Sequence, residues 1–304
     1  MRLRNSDMTK SIFLTLSGRT NAGKSTLLNA LVGEKIASVS SKPQTTRTRI
    51  TGILTQGETQ YVFIDTPGLH QGKTRLSTHM MKTAETSAAD ADAVLYVIDC
   101  TKKLHEQDEK MLESITKRKI KCIIVVNKVD LLEDKAKMMP LLLRLENAYH
   151  PYAIIPVSAQ DHDGLDQIMA TAAELAQPSV HFFPDDKFTD QPERVLAAEM
   201  IREKLLRLLN DEVPHGVAVT VEKMSERDDK DLLDISAVIY CERDSHKGII
   251  IGKNGSMLKK IASSARRELE HFFEIQVNLQ CFVKVKEDWR NKEGLIRSFG
   301  LNDE

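Results

Sequence analysis

The chain has 304 residues, of which 41% are hydrophobic and 29% are charged, and its 43 basic and 44 acidic side chains give a net charge of −1. That length predicts about two domains, each long enough to bury a core. The near-neutral balance excludes a protein that coats nucleic acid through bulk positive charge. The cysteines are scattered without a CxxC pair, which argues against a zinc site or a disulfide framework; they are Cys100, Cys122, Cys241 and Cys281.

The N-terminal region contains only a short apolar run at residues 12–16, which is too short for the apolar core of a signal peptide. The sequence also lacks the roughly 18 consecutive apolar residues that a membrane-spanning helix needs. We therefore expect a cytoplasmic protein.

Residues 11–175 alternate short apolar runs with amphipathic helical patterns. Strands are predicted over residues 12–16, 49–54, 61–65, 93–99, 122–127 and 153–157. Helices are predicted over residues 24–32, 75–88, 106–117, 135–149 and 165–176. Continuous aliphatic runs are typical of strands buried on both faces of a parallel sheet, while the turn at 56–58 predicts a hairpin. Together they predict a doubly wound α/β domain with a mostly parallel sheet.

A segment rich in proline and aspartate predicts a linker over residues 179–192. After it, the regular alternation of strands and helices ends. Beyond it we expect helices over residues 193–209 and 256–272, strands over 217–223, 232–240 and 275–285, and a charged loop over 225–231. With a further helical stretch before the Gly-rich turn at residues 252–255, the order is α-β-β-α-α-β, which predicts a second, α+β domain. The predicted boundaries are residues 1–178 for the first domain and 193–304 for the second.

Residues 18–25, with the sequence GRTNAGKS, fit the pattern GxxxxGK[ST] between a predicted strand and a predicted helix. Glycines let backbone N–H groups turn toward phosphates, Lys24 reaches the β- and γ-phosphates, and Ser25 binds Mg²⁺. The predicted phosphate-binding residues are Gly18, Arg19, Thr20, Asn21, Ala22, Gly23, Lys24, Ser25 and Thr26.

A second motif, Asp65-Thr66-Pro67-Gly68, ends another predicted strand. An acid at this position holds Mg²⁺ through water, and the Gly68 N–H meets a γ-phosphate. The polar loop before the second strand supplies a threonine, Thr46, whose hydroxyl would complete the Mg²⁺ shell. The residues predicted to respond to the nucleotide are Gln44, Thr45, Thr46, Arg47 and Thr48 in the first loop, and Asp65, Thr66, Pro67, Gly68 and Leu69 in the second.

The base is expected at Asn127-Lys128-Val129-Asp130, which follows the strand predicted at 122–127. The Asp130 carboxylate accepts two hydrogen bonds from guanine, and adenine lacks the amine that donates one of them. Asn127 is included in the predicted base site, and the Lys128 stem is expected to lie along the base. Ser158 and Ala159 follow the next strand, and we expect their backbone N–H groups to meet guanine O6.

These motifs, in this order, resemble those of the TrmE–Era–EngA class of GTPases. Leu69 stands where Ras-type enzymes place a water-orienting glutamine, so intrinsic GTP hydrolysis should be slow. The resemblance implies Mg²⁺ as cofactor and suggests K⁺ as a second one, with Asn21 as its candidate ligand. Leu69 also leaves open an alternative, an RNA-binding scaffold whose first domain binds nucleotide without significant turnover.

The second domain contains a GxxG loop at residues 252–255 between two helical stretches, and glycines there let an RNA strand approach the backbone. Although residues 181–304 carry 20 basic and 24 acidic side chains, residues 245–267 carry six basic side chains and no acid. The residues predicted to bind RNA are Ile250, Ile251, Gly252, Lys253, Asn254, Gly255, Ser256, Lys259, Lys260 and Arg266. The single tryptophan, Trp289, is expected to be a packing anchor.

The extended pattern IIGxxGxxLxxI within this element order resembles a type II KH domain. A GTPase domain followed by such a domain, ending VKVKEDWR, resembles the Era family over essentially the whole chain after residue 11. The resemblance implies binding of GTP and GDP, contact with the 3′ region of 16S rRNA, and a role in assembly of the 30S ribosomal subunit. It further implies peripheral association with the inner face of the cell membrane, and we expect a monomer.

Overall fold

A computed structural model describes residues 9–40, 42, 45–67, 74–78, 80 and 91–301. The chain forms two compact units, and each is made of segments that are discontinuous in sequence. The first unit comprises Met1–Ile36, Thr46–Gln71 and Met80–Asp190. The second comprises Ala37–Thr45, Gly72–His79 and Gln191–Glu304.

The first unit is built on a sheet whose central strands are buried on both faces. Its strands are β1 (Lys10–Ser17), β2 (Ile50–Gln56), β3 (Thr59–Asp65), β4 (Ala93–Asp99), β5 (Lys121–Asn127), β6 (Ala153–Val157) and β7 (Gln177–Pro178). They lie in the order β2-β3-β1-β4-β5-β6, with β7 added antiparallel at the start of β1. Only the β2–β3 hairpin is antiparallel along the main path, so the predicted mostly parallel sheet is confirmed.

Helices connect these strands as the sequence predicts. They are α1 (Lys24–Val32), α2 (Glu106–Lys117), α3 (Met139–Tyr149) and α4 (Leu165–Leu175). The helix predicted at 135–149 begins as a 3₁₀ turn capped by the Asp134 side chain, and α3 starts beyond it with Pro140 in its first turn. Of the helix predicted at 75–88, residues 75–78 and 80 are described as helical and the others lie outside the described residues.

The second unit packs helices on a three-stranded sheet in the order β10-β9-β8. Its elements are α5 (Glu193–Leu208), β8 (Ala218–Arg227), β9 (Lys230–Cys241), α6 (Asp244–Ile251), α7 (Ser256–Phe273), β10 (Gln276–Val285) and α8 (Glu293–Ser298). Strand β9 pairs antiparallel with β8 and parallel with β10. The predicted α+β order is therefore confirmed.

The charged loop predicted at residues 225–231 is wrong, because β8 and β9 continue through most of it as a hairpin. Arg227 pairs with Lys230 across the turn, and the Arg227 guanidinium donates to the Asp234 carboxylate at 2.6 and 2.9 Å. Charged side chains at the end of a hairpin remain in water, so their polarity does not interrupt the strands.

Trp289 packs inside the second unit, as predicted. Its side chain is fully buried, its indole N–H donates to the Gly216 carbonyl at 2.9 Å, and its ring lies edge-on to Phe299 at 5.4 Å. A buried indole with a satisfied N–H is typical of a packing anchor.

The predicted linker begins as an ordered flank of the first unit. Buried Gln60 accepts from the Phe182 and Phe183 N–H groups at 2.7 and 3.0 Å, and Thr189 Oγ1 donates to the Thr51 carbonyl at 2.7 Å. The division between the units falls after Asp190. The linker boundaries of 179–192 remain a prediction.

Within the described part of the chain, no helix is both long and apolar enough to span a bilayer.

Candidate functional site

The phosphate loop lies between the end of β1 and the start of α1, and two glycines give it its shape. Gly18 and Gly23 have φ values of +137° and +100°. A Cβ on Gly18 would lie 2.3 Å from the Val97 carbonyl oxygen, and one on Gly23 would lie 2.1 Å from Asn127 Nδ2. Neither position accepts a side chain, so the backbone here can approach a ligand closely.

Lys24 is the charged group of this loop. It is 6% exposed, and its ammonium donates to the Gly18 and Arg19 carbonyls at 3.1 and 3.2 Å. Burial lowers the pKa of Lys24, while the nearby Asp65 carboxylate acts in the opposite direction. A cation stripped of water at the N-terminus of a helix is suited to holding phosphate oxygens.

Three side-chain oxygens converge beside Lys24. Ser25 Oγ lies 2.6 Å from Asp65 Oδ2 and 2.8 Å from Thr46 Oγ1, and Thr46 Oγ1 lies 3.2 Å from the same carboxylate oxygen. The second carboxylate oxygen of Asp65 is buried without a hydrogen-bond partner among the described residues. Burial raises the pKa of Asp65, and Lys24 and the two hydroxyl groups oppose that rise.

This donor set fits Mg²⁺, which prefers oxygen ligands and is usually held by one or two carboxylates together with water and phosphate oxygens. The described residues contain no cluster of three or more histidine, cysteine, aspartate or glutamate side chains that could form a complete protein cage. A site with one carboxylate and two hydroxyl groups suits a metal ion that also binds phosphate oxygens.

At the adjacent strand ends, Lys128 connects the base motif to the phosphate loop. It has a φ of +71°, and its ammonium donates to the Asn21 carbonyl and to Asp99 Oδ2, both at 2.7 Å. Burial alone would raise the pKa of Asp99, but hydrogen bonds from Lys128 and Thr101 outweigh it and lower that pKa. Asp130 lies exposed in the next turn, where its carboxylate is accessible to a ligand.

The loop of the second unit has a different character. Gly252 has a φ of +72°, and a Cβ there would lie 2.7 Å from Met257 Cβ, so packing requires this glycine. Gly255 has a φ of +76°, but a Cβ there would meet nothing within 4 Å. Lys253 and Asn254 are exposed between them.

Helix α7 continues this exposed surface. Ser256 begins the helix, and Lys259, Lys260 and Arg266 are exposed along it. Arg266 forms a long ion pair of 3.8 Å with Glu270. Basic side chains next to an open backbone loop are suited to a nucleic-acid strand.

Comparison with known proteins identifies the families of both parts of the chain. The family described as 50S ribosome-binding GTPase matches residues 13–128, and the KH domain family matches residues 212–290. The GTPase Era of Clostridioides difficile is 49% identical, covering 97% of this chain and 100% of that protein. The GTPase Era of Ruminiclostridium cellulolyticum is 45% identical, with 96% and 97% covered. This chain belongs to the Era family of GTPases.

Solved Era structures share the fold. A crystal structure of an Aquifex aeolicus Era variant bound to GDP·AlF₄⁻ has a TM-score of 0.93 at 35% identity, covering 97% of this chain and 100% of that chain. A structure of Era in complex with MgGDPNP and nucleotides 1506–1542 of 16S ribosomal RNA has the same TM-score, identity and coverage.

Within this Era-family fold, the loop at Ser158 and Ala159 is joined by hydrogen bonds to its own turn and to Asn127. The Ser158 N–H donates to the Asp163 carbonyl at 3.1 Å, and the Ala159 N–H donates to Asn127 Oδ1 at 3.0 Å. The Asn127 amide also donates to the Ala22 carbonyl at 2.9 Å. These hydrogen bonds link the Ser158–Ala159 loop through Asn127 to the phosphate loop, and the expected contact with guanine O6 remains a prediction.

The structure does not expose every residue that is predicted to bind RNA. Ile250 and Ile261 are fully buried in the core of the second unit, whereas Ile249 is 50% exposed and Ile251 is half-buried. Successive residues of a helix point about 100° apart, so three adjacent isoleucines cannot share one face. The buried pair His246 and Ile250, four residues apart, is the signal that could have identified the core face.

The remaining predicted residues divide into described and undescribed ones. Thr66 is buried and donates to the Leu16 carbonyl at 2.9 Å, which fixes the start of the second loop. Gln44, Gly68 and Leu69 lie outside the described residues. Sequence reasoning missed Asp99, although it ends β4 at the same sheet edge as the other motifs, where ligands bind in open α/β sheets.

Proposed function

We propose that this Era-family GTPase binds the 3′ region of 16S rRNA in a nucleotide-dependent manner and acts in assembly of the 30S ribosomal subunit. The proposal depends on one observation: a single chain carries both the Ser25, Thr46 and Asp65 oxygen cluster and the exposed 252–255 loop. The relative bound to MgGDPNP and nucleotides 1506–1542 of 16S ribosomal RNA supports it.

The phosphates would be held by the loop N–H groups at the start of α1 and by Lys24. Ser25 and Thr46 would bind Mg²⁺ directly and Asp65 through water, and the ion would neutralise the charge that develops on the phosphates. The chain itself brings these oxygens within 3.2 Å of one another. Asp130 would select guanine, and Lys128 would cover the base with its stem.

Turnover should be slow without an activator, because Leu69 carries no group that can orient water. A partner, ordering of the two loops, or a K⁺ ion would supply the acceleration. Asn21 is the candidate K⁺ ligand, since it offers a carbonyl oxygen within the phosphate loop. The resemblance to the family further supports a cytoplasmic monomer with peripheral contact at the inner face of the membrane.

RNA binding in two nucleotide states tests the proposal. Fluorescence anisotropy would compare labelled RNA of nucleotides 1506–1542 with a scrambled RNA of equal length, in MgGDPNP and in MgGDP. We expect selective binding of the first RNA and a difference of about 10-fold between nucleotides. Equal affinity for both RNAs would contradict the RNA assignment, and equal affinity in both nucleotides would contradict the coupling.

A further inference from the structure

Strand β4 ends in a buried acid, Asp99, to which the proposed function gives no role. Its side chain is 8% exposed, and an aspartate is rarely this buried without a partner. Asp99 is in register with Asn127 on the neighbouring parallel strand β5, and its carboxylate forms an ion pair with Lys128, the first residue after that strand. All these residues belong to the first unit.

The two carboxylate oxygens of Asp99 have separate partners. Oδ1 accepts from the Thr101 N–H at 3.0 Å and from the Thr101 hydroxyl at 2.6 Å, which fixes the rotation of the carboxylate. Oδ2 accepts from the Lys128 ammonium at 2.7 Å. Burial alone would raise the pKa of Asp99, but these hydrogen bonds lower it, so the carboxylate is ionised where it meets the ammonium.

Lys128 is thereby held between two acceptors. Besides Asp99, its ammonium contacts the Asn21 carbonyl of the phosphate loop, also at 2.7 Å. The Lys128 side chain is 27% exposed, so without these acceptors water would solvate the ammonium in many rotamers of the long stem. A stem that is already ordered does not have to lose that freedom when a base binds against it.

A second lysine near Asp99 is not constrained in this way. Lys102 Nζ lies 3.4 Å from Asp99 Oδ2, and the Lys102 side chain is 56% exposed. An ion pair formed by so exposed a lysine contributes little, because both water and salt compete with it. Of the two cations, Lys128 is therefore the one that Asp99 orders.

We infer that Asp99 is a positioning residue for guanine-nucleotide binding, which holds the Lys128 ammonium so that the Lys128 stem is ordered before the base arrives. The inference rests on the proposed placement of the base against Lys128. Asp99 needs no contact with the nucleotide to have this effect. Because the base does not change during hydrolysis, the stem stabilises the ground state and the transition state equally, so loss of Asp99 should raise KM and leave kcat unchanged.

Nucleotide binding and turnover of the full-length Asp99→Asn protein test the inference. The Thr101 donors would keep the amide oxygen at the place of Oδ1, so the amide NH₂ group would face the Lys128 ammonium, and two donors cannot pair. We expect GTP and GDP affinity to fall about 10-fold each by isothermal titration calorimetry, with kcat within about 2-fold of the wild type. Lys102→Gln is the matched control, since it removes the other cation beside Asp99, and we expect unchanged affinity.

A double-mutant cycle with Lys128→Met shows whether Asp99 acts through Lys128. Methionine keeps most of the stem but removes the ammonium. We expect Lys128→Met to lower both affinities by about 10-fold, and Asp99→Asn added to it to cause no further loss. A further loss of the full size in the double variant would overturn the inference, because Asp99 would then act without Lys128. A fall in kcat as large as the fall in affinity in Asp99→Asn would also overturn it.

Thr101→Val provides a second variant if Asp99→Asn does not fold. It removes the hydroxyl that donates to Oδ1, and we expect both affinities to fall about 3-fold. Asp130→Asn separates the inference from the proposed function. If Asp130→Asn loses GTP affinity and the folded Asp99 or Thr101 variant does not, the inference is overturned while the base site stands. If Asp130→Asn also has no effect, the proposed base site is wrong and the inference fails with it.

Discussion

The proposed nucleotide site and the proposed RNA-binding loop differ in how exposed their motif residues are. Lys24, Asp65 and Asn127 are at most 6% exposed and contact other motif residues, whereas Lys253 and Lys259 are exposed. We therefore expect the first site to depend on a fixed geometry, and the second to depend on charge and an accessible backbone. Substitutions should consequently affect the first site by misplacing atoms and the second by changing its charge.

The largest effect is expected for Gly23→Ala. The new Cβ would lie 2.1 Å from Asn127 Nδ2 at a φ of +100°, so the loop or the asparagine must move. Steric strain of this kind costs roughly 1–3 kcal/mol in backbone conformation alone, and with the clash we expect a loss of about 1000-fold in GTP affinity by isothermal titration calorimetry. Gly33→Ala is the control, since its φ is +85° but its Cβ meets nothing within 4 Å. If both variants lose the same GTP affinity, the loss comes from backbone strain at a positive φ and not from the contact of the new Cβ with Asn127.

The next largest effect is expected for Asp130→Asn. Asparagine accepts from N1–H but cannot accept from the guanine amine, and it can donate to the 2-carbonyl oxygen of xanthine. We expect GTP affinity to fall about 100-fold and xanthosine triphosphate affinity to rise, measured by competition binding. Asp134→Asn should change neither, because asparagine can still cap the Ala136 N–H. If GTP affinity is unchanged in Asp130→Asn, Asp130 does not bind the guanine base.

A smaller effect is expected for Gly255→Asp, which adds a negative charge to the RNA loop. The φ of +76° is one that aspartate tolerates, and the new Cβ enters open space, so the unit should fold. We expect RNA affinity to fall about 10- to 30-fold with GTP affinity unchanged, because the carboxylate faces phosphates. Gly255→Asn has nearly the same shape without the charge and should lose little. A loss of equal size in Gly255→Asn would show that the loop also depends on backbone geometry.

The smallest effect concerns pH and the flank of the first unit. Burial alone would lower the pKa of His181, but the Glu58 carbonyl and the Asp185 carboxylate outweigh it and raise that pKa above 6.5. A raised pKa means that the protonated ring stabilises the fold fully below pH 6.5 and loses that effect as the pH rises through the folded pKa. The difference in Tm between wild type and His181→Gln should therefore shrink as the pH rises from about 6 to about 8. If the difference in Tm does not depend on pH, the protonated His181 ring does not stabilise the fold through Asp185.

The sequence predicts the sheet of the first unit well because its strands are continuous aliphatic runs, as at Ala93–Asp99, where every residue is buried. It also predicts which atoms meet at the metal site, because Ser25 and Asp65 follow parallel strands whose carboxyl ends share one edge. The sequence predicts the tip of the β8–β9 hairpin poorly. The exposed charged side chains there are typical of a loop, although the two strands remain paired as far as Arg227 and Lys230.

What the sequence does not reveal are roles set by contacts between distant residues. Nothing local indicates that the Asn127 amide braces the loop at Ala22, or that Asp99 holds the Lys128 ammonium. Ile250 resembled a ligand-facing residue because a run of isoleucines hides which of them faces the core. At both sites it is therefore easier to predict which residues lie there than to predict what each of them contacts.

The central claim is that one chain couples GTP turnover to RNA bound at the 252–255 loop. The most direct measurement is the rate of phosphate release from GTP by the pure protein, with and without RNA of nucleotides 1506–1542, in K⁺ and in Na⁺. The account predicts a slow rate alone, because of Leu69, and acceleration by that RNA in the wild type but not in Gly255→Asp. Hydrolysis that stays at background under all four conditions, or acceleration that persists in Gly255→Asp, would contradict it.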